Sequence, residues 1–294
     1  MSALLIVGHG TRDAAGAADF RSFVHRVRAR AAGRPDLRIP DVGGGFIELS
    51  TPPLGEAVSE LTAAGHRRIA AVPLVLVAAG HAKGDIPGSL HRERIRHPGL
   101  TFSYGRPLGA HPTILTLLEA RLDAVLPRQD RADAAVLLVG RGSTDPDANA
   151  EVYRAARLLW EGRGLGFVEP AFVSLAQPSV AEGLERCRRL GARRVVVLPY
   201  FLFRGILPDR ILAQAEDAIV APVIGDCDEL ADLVLERYTE AVAGDIRMNC
   251  DSCVYRIAMP GFEDRVGAAQ TPHDHPHEHA HGHANGQDHA HAHG

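Results

Sequence analysis

Leu4-Leu5-Ile6-Val7-Gly8-His9-Gly10-Thr11-Arg12-Asp13 decides the fold, because the chain writes it twice. Val136-Leu137-Leu138-Val139-Gly140-Arg141-Gly142-Ser143-Thr144-Asp145 repeats it with arginine in place of the histidine. A short apolar run closes on Gly-x-Gly, and a capping acid then opens a helical segment. That pattern reads as a first β-strand, buried on both faces, whose carboxyl end presents one side chain at the lip of a parallel sheet. In open α/β sheets ligands sit in the crevice beyond those strand ends.

Working outward, Asp13 is placed to N-cap a helix over Ala14–Ala32, where Phe20, Phe23, Val24 and Val27 recur at helical spacing. Arg38–Leu49 reads as a strand after a glycine-loosened start, and Pro52-Pro53 opens a helix to about Ala64. Ile69–Val77 is apolar throughout, as a strand covered on both faces requires. Ala78-Ala79-Gly80-His81-Ala82-Lys83-Gly84-Asp85-Ile86-Pro87 reads as a loop before a helix toward Arg96. Leu100–Tyr104 reads as a short strand, His111–Leu126 as a helix, and Pro127–Asp133 as a polar linker.

After the linker the pattern restarts. GFIELSTPPLGEAV (45–58) returns as AFVSLAQPSVAEGL (171–184), GHRRIAAVPLVLV (65–77) as GARRVVVLPYFLF (191–203), and GRPLGAHPTI (105–114) as APVIGDCDEL (221–230). The sequence therefore predicts an α/β protein of two tandem-duplicated domains, 1–127 and 132–245. Each is a parallel sheet with helices on both faces. A self-similar pair packs about an approximate two-fold axis, with a cleft between the halves.

Composition narrows the partners. A net charge of −4 without a basic stripe argues against nucleic acid. No apolar run reaches the length that spans a bilayer, and the start lacks a signal peptide's basic region. Four cysteines in so long a chain are no secreted disulfide scaffold, so a reducing cytoplasm is expected. Lys83 is the sole lysine among 32 basic residues.

The two copies differ in chemistry. His9 faces Arg141, Glu48 faces Ser174, and the segment around His81 is shortened in the second copy to Phe203-Arg204-Gly205-Ile206-Leu207, without a histidine. Metal-competent side chains thus survive only in the first copy, which implies one site per chain, with the second half as wall and lid. His9 and His81 each follow a strand of the same sheet, and two neutral imidazoles suit a borderline ion such as Co, Fe, Ni or Zn. Glu48 joins them as proton acceptor or weak ligand. His25, His66, His91 and His97 receive no role, and His111 reads as a helix-cap residue.

With VGHGTRD, GFIELSTPPL and VPLVLVAAGHAKGDIP in order, the chain resembles the sirohydrochlorin chelatases, class II enzymes, in their long internally duplicated form. The resemblance covers roughly residues 3 to 245. It implies ATP-independent insertion of Co²⁺ (in other members Fe²⁺ or Ni²⁺) into a modified tetrapyrrole. It also implies His9 and His81 as the metal-presenting pair and Glu48 as the carboxylate that helps remove pyrrole protons. Two N–H protons leave as the metal enters, so a base must lie within hydrogen-bond reach, and the metal must be held loosely enough to be handed over. Such a substrate carries eight carboxylates; Arg12, Lys83, Arg141 and Arg204 are the candidates to receive them.

Beyond Gly244 the α/β pattern stops. Residues 246–270 contain Met248-Asn249-Cys250-Asp251-Ser252-Cys253, and the resemblance to long chelatases with M-x-C-x-x-C implies an iron–sulfur cluster on Cys250 and Cys253. Clusters usually take four thiolates. Cys227 would contribute a third, or a cluster shared with a second chain in a homodimer would make up the number, while Cys187 reads as packing. Residues 271–294 are expected to be disordered and carry His273, His275, His277, His279, His281, His283, His289, His291 and His293, a tether that would store Co²⁺ or Ni²⁺ near the cleft. Three functions compete: a cobaltochelatase of cobalamin biosynthesis with siroheme ferrochelatase as runner-up, a metal store or metallochaperone built on the tail, and a nucleotide-binding enzyme. The last is weak, for no complete glycine-rich phosphate loop follows either first strand.

Overall fold

The computed structural model describes residues 1–215, 217–245 and 263–268. Cys250, Cys253 and the nine histidines from His273 to His293 lie outside them.

The first copy runs β1 (Ala3–Gly8), α1 (Ala14–Ala32), β2 (Val42–Phe46), α2 (Leu54–Ala63), β3 (Arg68–Pro73), α3 (Ile86–Arg96), β4 (Thr101–Tyr104) and α4 (Pro112–Asp123). The second runs β5 (Ala134–Gly140), α5 (Pro146–Trp160), β6 (Phe167–Phe172), α6 (Val180–Arg189), β7 (Arg194–Pro199), α7 (Ile206–Gln214), β8 (Ile219–Val220) and α8 (Asp228–Ala243). Two parallel four-stranded sheets result, in the orders β2-β1-β3-β4 and β6-β5-β7-β8. Their registers repeat: Gly8 pairs with Phe46 as Gly140 pairs with Phe172, and Val7 with Pro73 as Val139 with Pro199.

Local chemistry sets these elements. Every residue of β1 and β5 is buried, so an unbroken apolar run is the only pattern that fits. The Asp13 carboxylate accepts from the amides of Ala15 and Gly16 and starts α1. His111 Nδ1 accepts from Thr113 N and starts α4, the cap role its position suggested. Ser179 and Glu182 close a reciprocal capping box on α6.

Alternate residues of each strand face opposite ways, and this sorts the core into three clusters. Leu5 and Val7 pack under α2 and α3 on one outer face. Leu137 and Val139 pack under α6 and α7 on the other. Between the sheets lies a single cluster fed by α1, α4, α5 and α8. The layers are therefore helix, sheet, helix, sheet, helix.

The middle layer is shared by the two repeats. The halves exchange their last helices: α4 packs against β7 and α5, and α8 against β3, β4 and α1. Polar contacts fasten the exchange, with Arg237 Nη2 donating to Leu108 O (3.0 Å) and Tyr238 Oη to Ser2 O (2.7 Å). Residue 127 ends a repeat, yet a cut there would strip an inner face from each sheet. The linker is equally committed: it forms a 3-10 turn, Arg128–Asp133, whose buried Arg131 binds Glu119 and Asp123 of α4.

Two further expectations change. The strand expected over Ile69–Val77 stops at Pro73, and Leu74 and Leu76 are apolar because they fill the shared core. The stretch around His81 is not a loop. His81–Asp85 forms a π-helical turn that runs directly into α3.

Candidate metal centre

The site is assembled by continuing the sheet past its strand ends. Ile47 N donates to Gly8 O (3.0 Å) and Glu48 N to His9 O (3.2 Å), so Glu48 stands beside His9. Gly10 makes this crossing possible. It sits at φ +103°, and a Cβ there would lie 1.8 Å from Glu48 O. The second copy keeps the device: Ser174 N donates to Arg141 O (2.9 Å), and a Cβ on Gly142 would lie 1.8 Å from Ser174 O.

His9, Glu48 and His81 converge, each offering one ligand atom within 4.8 Å of the others. His9 Nε2 lies 2.7 Å from His81 Nε2 and 3.3 Å from Glu48 Oε1, and the rings meet edge to face with centroids 4.1 Å apart. Glu48 Oε1 is buried and makes no hydrogen bond among the described residues. Asp85, one helical turn beyond His81, accepts a hydrogen bond from His81 Nδ1 at 2.6 Å. Gly10 O lies 3.1 Å from His9 Nδ1 and fixes the same tautomer there. Both Nε2 lone pairs then point at one spot, which favours a cation between them, either a shared proton or a divalent metal. Two imidazoles and one carboxylate leave coordination positions open to a nitrogen-donor substrate.

Arg141 enters from the second half, with Nη1 3.3 Å from His9 Nε2. The residues that replace one another in the repeat thus touch across the pseudo-dyad. Burial pulls the Arg141 guanidinium below its ordinary pKa, and Glu48 pulls the other way. Arg12 is exposed in the turn between β1 and α1.

The remaining two carboxylate candidates are engaged elsewhere. Lys83 Nζ is buried between Asp145 Oδ2 (2.7 Å) and Asp147 Oδ2 (2.9 Å) of the second half. Burial opposes its charged form, but the two acids outweigh burial and raise its pKa. Arg204 forms a two-pronged pair with Asp19, at 2.9 and 2.6 Å. Asp85 and Asp147 have no role in the sequence pattern, and Asp145 shows there only as a helix cap. His81-x-x-x-Asp85 is an i,i+4 pair, a signal only where the stretch is known to be helical.

Two other thiols lie among the described residues. Cys187 is fully buried in α6, and burial pushes its thiol pKa up to about 11. Cys227 is half-buried before α8, and burial raises its pKa too. No helix among the described residues is long and apolar enough to cross a membrane.

Comparison with known proteins agrees with this geometry. Residues 3–125 and 135–241 both match the family described as CbiX, one match per repeat. A sirohydrochlorin cobaltochelatase of Priestia megaterium is 35% identical over 270 residues, covering 88% of this chain and 86% of its own. A sirohydrochlorin ferrochelatase of the same organism is 34% identical over 242 residues, covering 80% of this chain and 88% of its own. The structure of SirB from Bacillus subtilis with Fe³⁺ aligns with 83% of this chain and 97% of its own, at a TM-score of 0.71 and 29% identity.

Proposed function

The chain belongs to the CbiX family, and from that premise we propose that it inserts a divalent metal ion into sirohydrochlorin without ATP. The convergence of His9, His81 and Glu48 in one repeat carries the reading. His9 and His81 hold the incoming metal through Nε2, and their Nδ1 partners keep those lone pairs aimed. Glu48 Oε1, 3.3 Å from His9 Nε2 and without a hydrogen bond among the described residues, accepts the pyrrole protons that leave as the macrocycle nitrogens take the metal. Metal is the substrate here, so a loose three-donor cradle suits transfer better than a closed cage. Arg141, at the dyad, and Arg12, at the rim, receive the macrocycle carboxylates.

Cobalt is the preferred metal and iron the second reading. The match to the cobaltochelatase spans more of the chain than residues 1–245 hold, and its length carries it through Cys250 and Cys253 wherever it begins. The ferrochelatase match is shorter, and iron rests on it, since SirB structures hold Fe³⁺ in one case and cobalt in another. An iron–sulfur cluster on Cys250 and Cys253, and a metal store on the nine histidines from His273 to His293, belong to the cobalt reading.

The test is anaerobic titration of sirohydrochlorin with Co²⁺ and with Fe²⁺, without ATP, followed by the macrocycle's absorption spectrum. Enzyme-dependent conversion, faster with Co²⁺, is expected. No acceleration over the free metal sinks the proposal. A metal-storage protein would instead lose its function on deletion beyond Pro272 and be indifferent to His81→Ala.

A further inference from the structure

We propose that Lys83 is a positioning residue: locked between Asp145 and Asp147, it holds the turn that carries His81 against the end of β1 and so sets the His9–His81 spacing. The proposal rests on His9 and His81 being the metal-presenting pair.

Lys83 occupies the middle of the five-residue turn His81–Asp85, two residues from the ring at one end and two from the Asp85 carboxylate that orients it. Its Nζ bonds of 2.7 and 2.9 Å reach across to the start of α5, and the three side chains are only 8, 2 and 4% exposed. The receptor is built in advance. Asp145 caps α5 by accepting from Asp147 N at 3.1 Å, so helix geometry fixes both acids beside the ammonium. A second tether joins the turn from behind, where Tyr104 Oη donates to Ala82 O at 2.7 Å. With the next residue on either side of Ala82 and Lys83 leading to His81 and Gly84, the imidazole has little freedom to swing.

The other half supplies an internal control. The connection after β7 also crosses to its neighbour, through Arg204 and Asp19, but there the guanidinium is 65% exposed and one acid receives it. Exposed pairs of that kind constrain little. No histidine rides on that connection. Of these two connections, the one that carries a ring has the buried, two-acid version, and a buried ion pair adds little net stability over an apolar replacement. A planar guanidinium demands more room than the compact ammonium between acids so close together, which gives the chain's one lysine a physical reason.

The test is anaerobic Co²⁺ titration of the full-length chain, read by the visible absorption of bound Co²⁺, with the His81→Ala chain subtracted so that tail histidines cancel. The central variant is Lys83→Met/Asp145→Asn/Asp147→Asn, which leaves no buried acid unpaired and keeps a side-chain cap on α5. It is expected to weaken His81-dependent Co²⁺ binding by about tenfold or more and to alter its absorption band, as loss of an outer-shell support does. In turnover it lowers kcat and leaves KM for the tetrapyrrole unchanged. Lys83→Arg, which keeps the charge and folds without an orphaned acid, falls between the two. Wild-type Co²⁺ affinity and band in both variants overturn the proposal. So does a raised KM with kcat and Co²⁺ binding intact, which returns Lys83 to the role of carboxylate receptor. A wild-type chain with no His81-dependent signal sinks the metal-pair reading itself, and that outcome is distinct from these.

Discussion

Gly8-His9-Gly10 and Gly140-Arg141-Gly142 close equivalent strands on nearly the same backbone, yet only the first ends in an imidazole. The backbone is shared because sterics enforce it. Gly10 and Gly142 both stand at positive φ with a carbonyl 1.8 Å from where a Cβ would be. Leu49 and Leu175 follow at φ 62° and 60°, a conformation that costs an L-residue about 1 kcal/mol and is held in both copies. Side chains at the lip carry no such constraint, so His9, Glu48 and His81 have Arg141, Ser174 and no third counterpart. A duplicated scaffold needs one donor set. The second copy serves as wall, as source of the clamp on Lys83, and as donor of the helix that covers the first sheet.

The sharpest way to break that comparison is to remove the donors. His9→Ala and His81→Ala are each expected to lower the rate of metal insertion by about a thousandfold, the middle of what a positioned acid–base group supplies. Ser174→Ala, the matching position of Glu48, is expected to leave the rate within about twofold. Equal losses from the two halves, in spectrophotometric assays with Co²⁺, would mean that the site is not confined to one copy.

The next effect is smaller. Asp85→Asn keeps the size of the group but can offer Nδ1 of His81 either an oxygen or a hydrogen, so the Nε2 lone pair is no longer fixed. Losses of about 10- to 100-fold in Co²⁺ affinity are expected, as for other outer-shell partners of ligating histidines. An Asp85→Asn chain that binds Co²⁺ as the wild type does would show that the 2.6 Å contact with His81 is incidental.

What was legible in the sequence follows the same division. The repeat, the parallel sheets and the His9–Glu48–His81 candidates could be read because apolar strands announce themselves locally and each candidate follows one in the sequence, although His81 stands in the turn after β3 rather than at its end. Arg141 was legible by alignment of the copies. The exchange of α4 and α8 was not, because an apolar helix face does not say which sheet it covers. Leu74 and Leu76 misled for a related reason: core residues outside a strand look like a longer strand. Charge alone points Lys83 at substrate, because its partners lie 62 and 64 residues away, beyond any local pattern. The π-turn hid Asp85, since Gly84 and Pro87 read as loop.

Arg141→His restores in the second half the residue it lacks, and tests whether the arginine only faces substrate. Its guanidinium stands 3.3 Å from His9 Nε2, where a positive charge opposes metal binding. A third imidazole in its place is expected to tighten Co²⁺ by about tenfold, near 1.4 kcal/mol. Turnover should slow in step, as the ion becomes harder to hand over. A raised KM for the tetrapyrrole with unchanged Co²⁺ affinity would confine Arg141 to carboxylate binding.

Ser174→Glu returns the missing carboxylate and is expected to do least. The ladder bond from Ser174 N to Arg141 O matches that from Glu48 N to His9 O, so the new acid would stand beside Arg141 as Glu48 stands beside His9. It finds a guanidinium there instead of a ring. The pair it forms should draw Arg141 from the substrate and raise KM by about fivefold at most, the scale of a partly exposed ion pair, with kcat unchanged. No metal can gather around it, because a carboxylate without imidazoles is only half of the first copy's chemistry. A second equivalent of Co²⁺ bound by the Ser174→Glu chain over the wild type would show that the silent half lacks a single side chain. The absence of one means that it lacks the histidine-bearing turn as well.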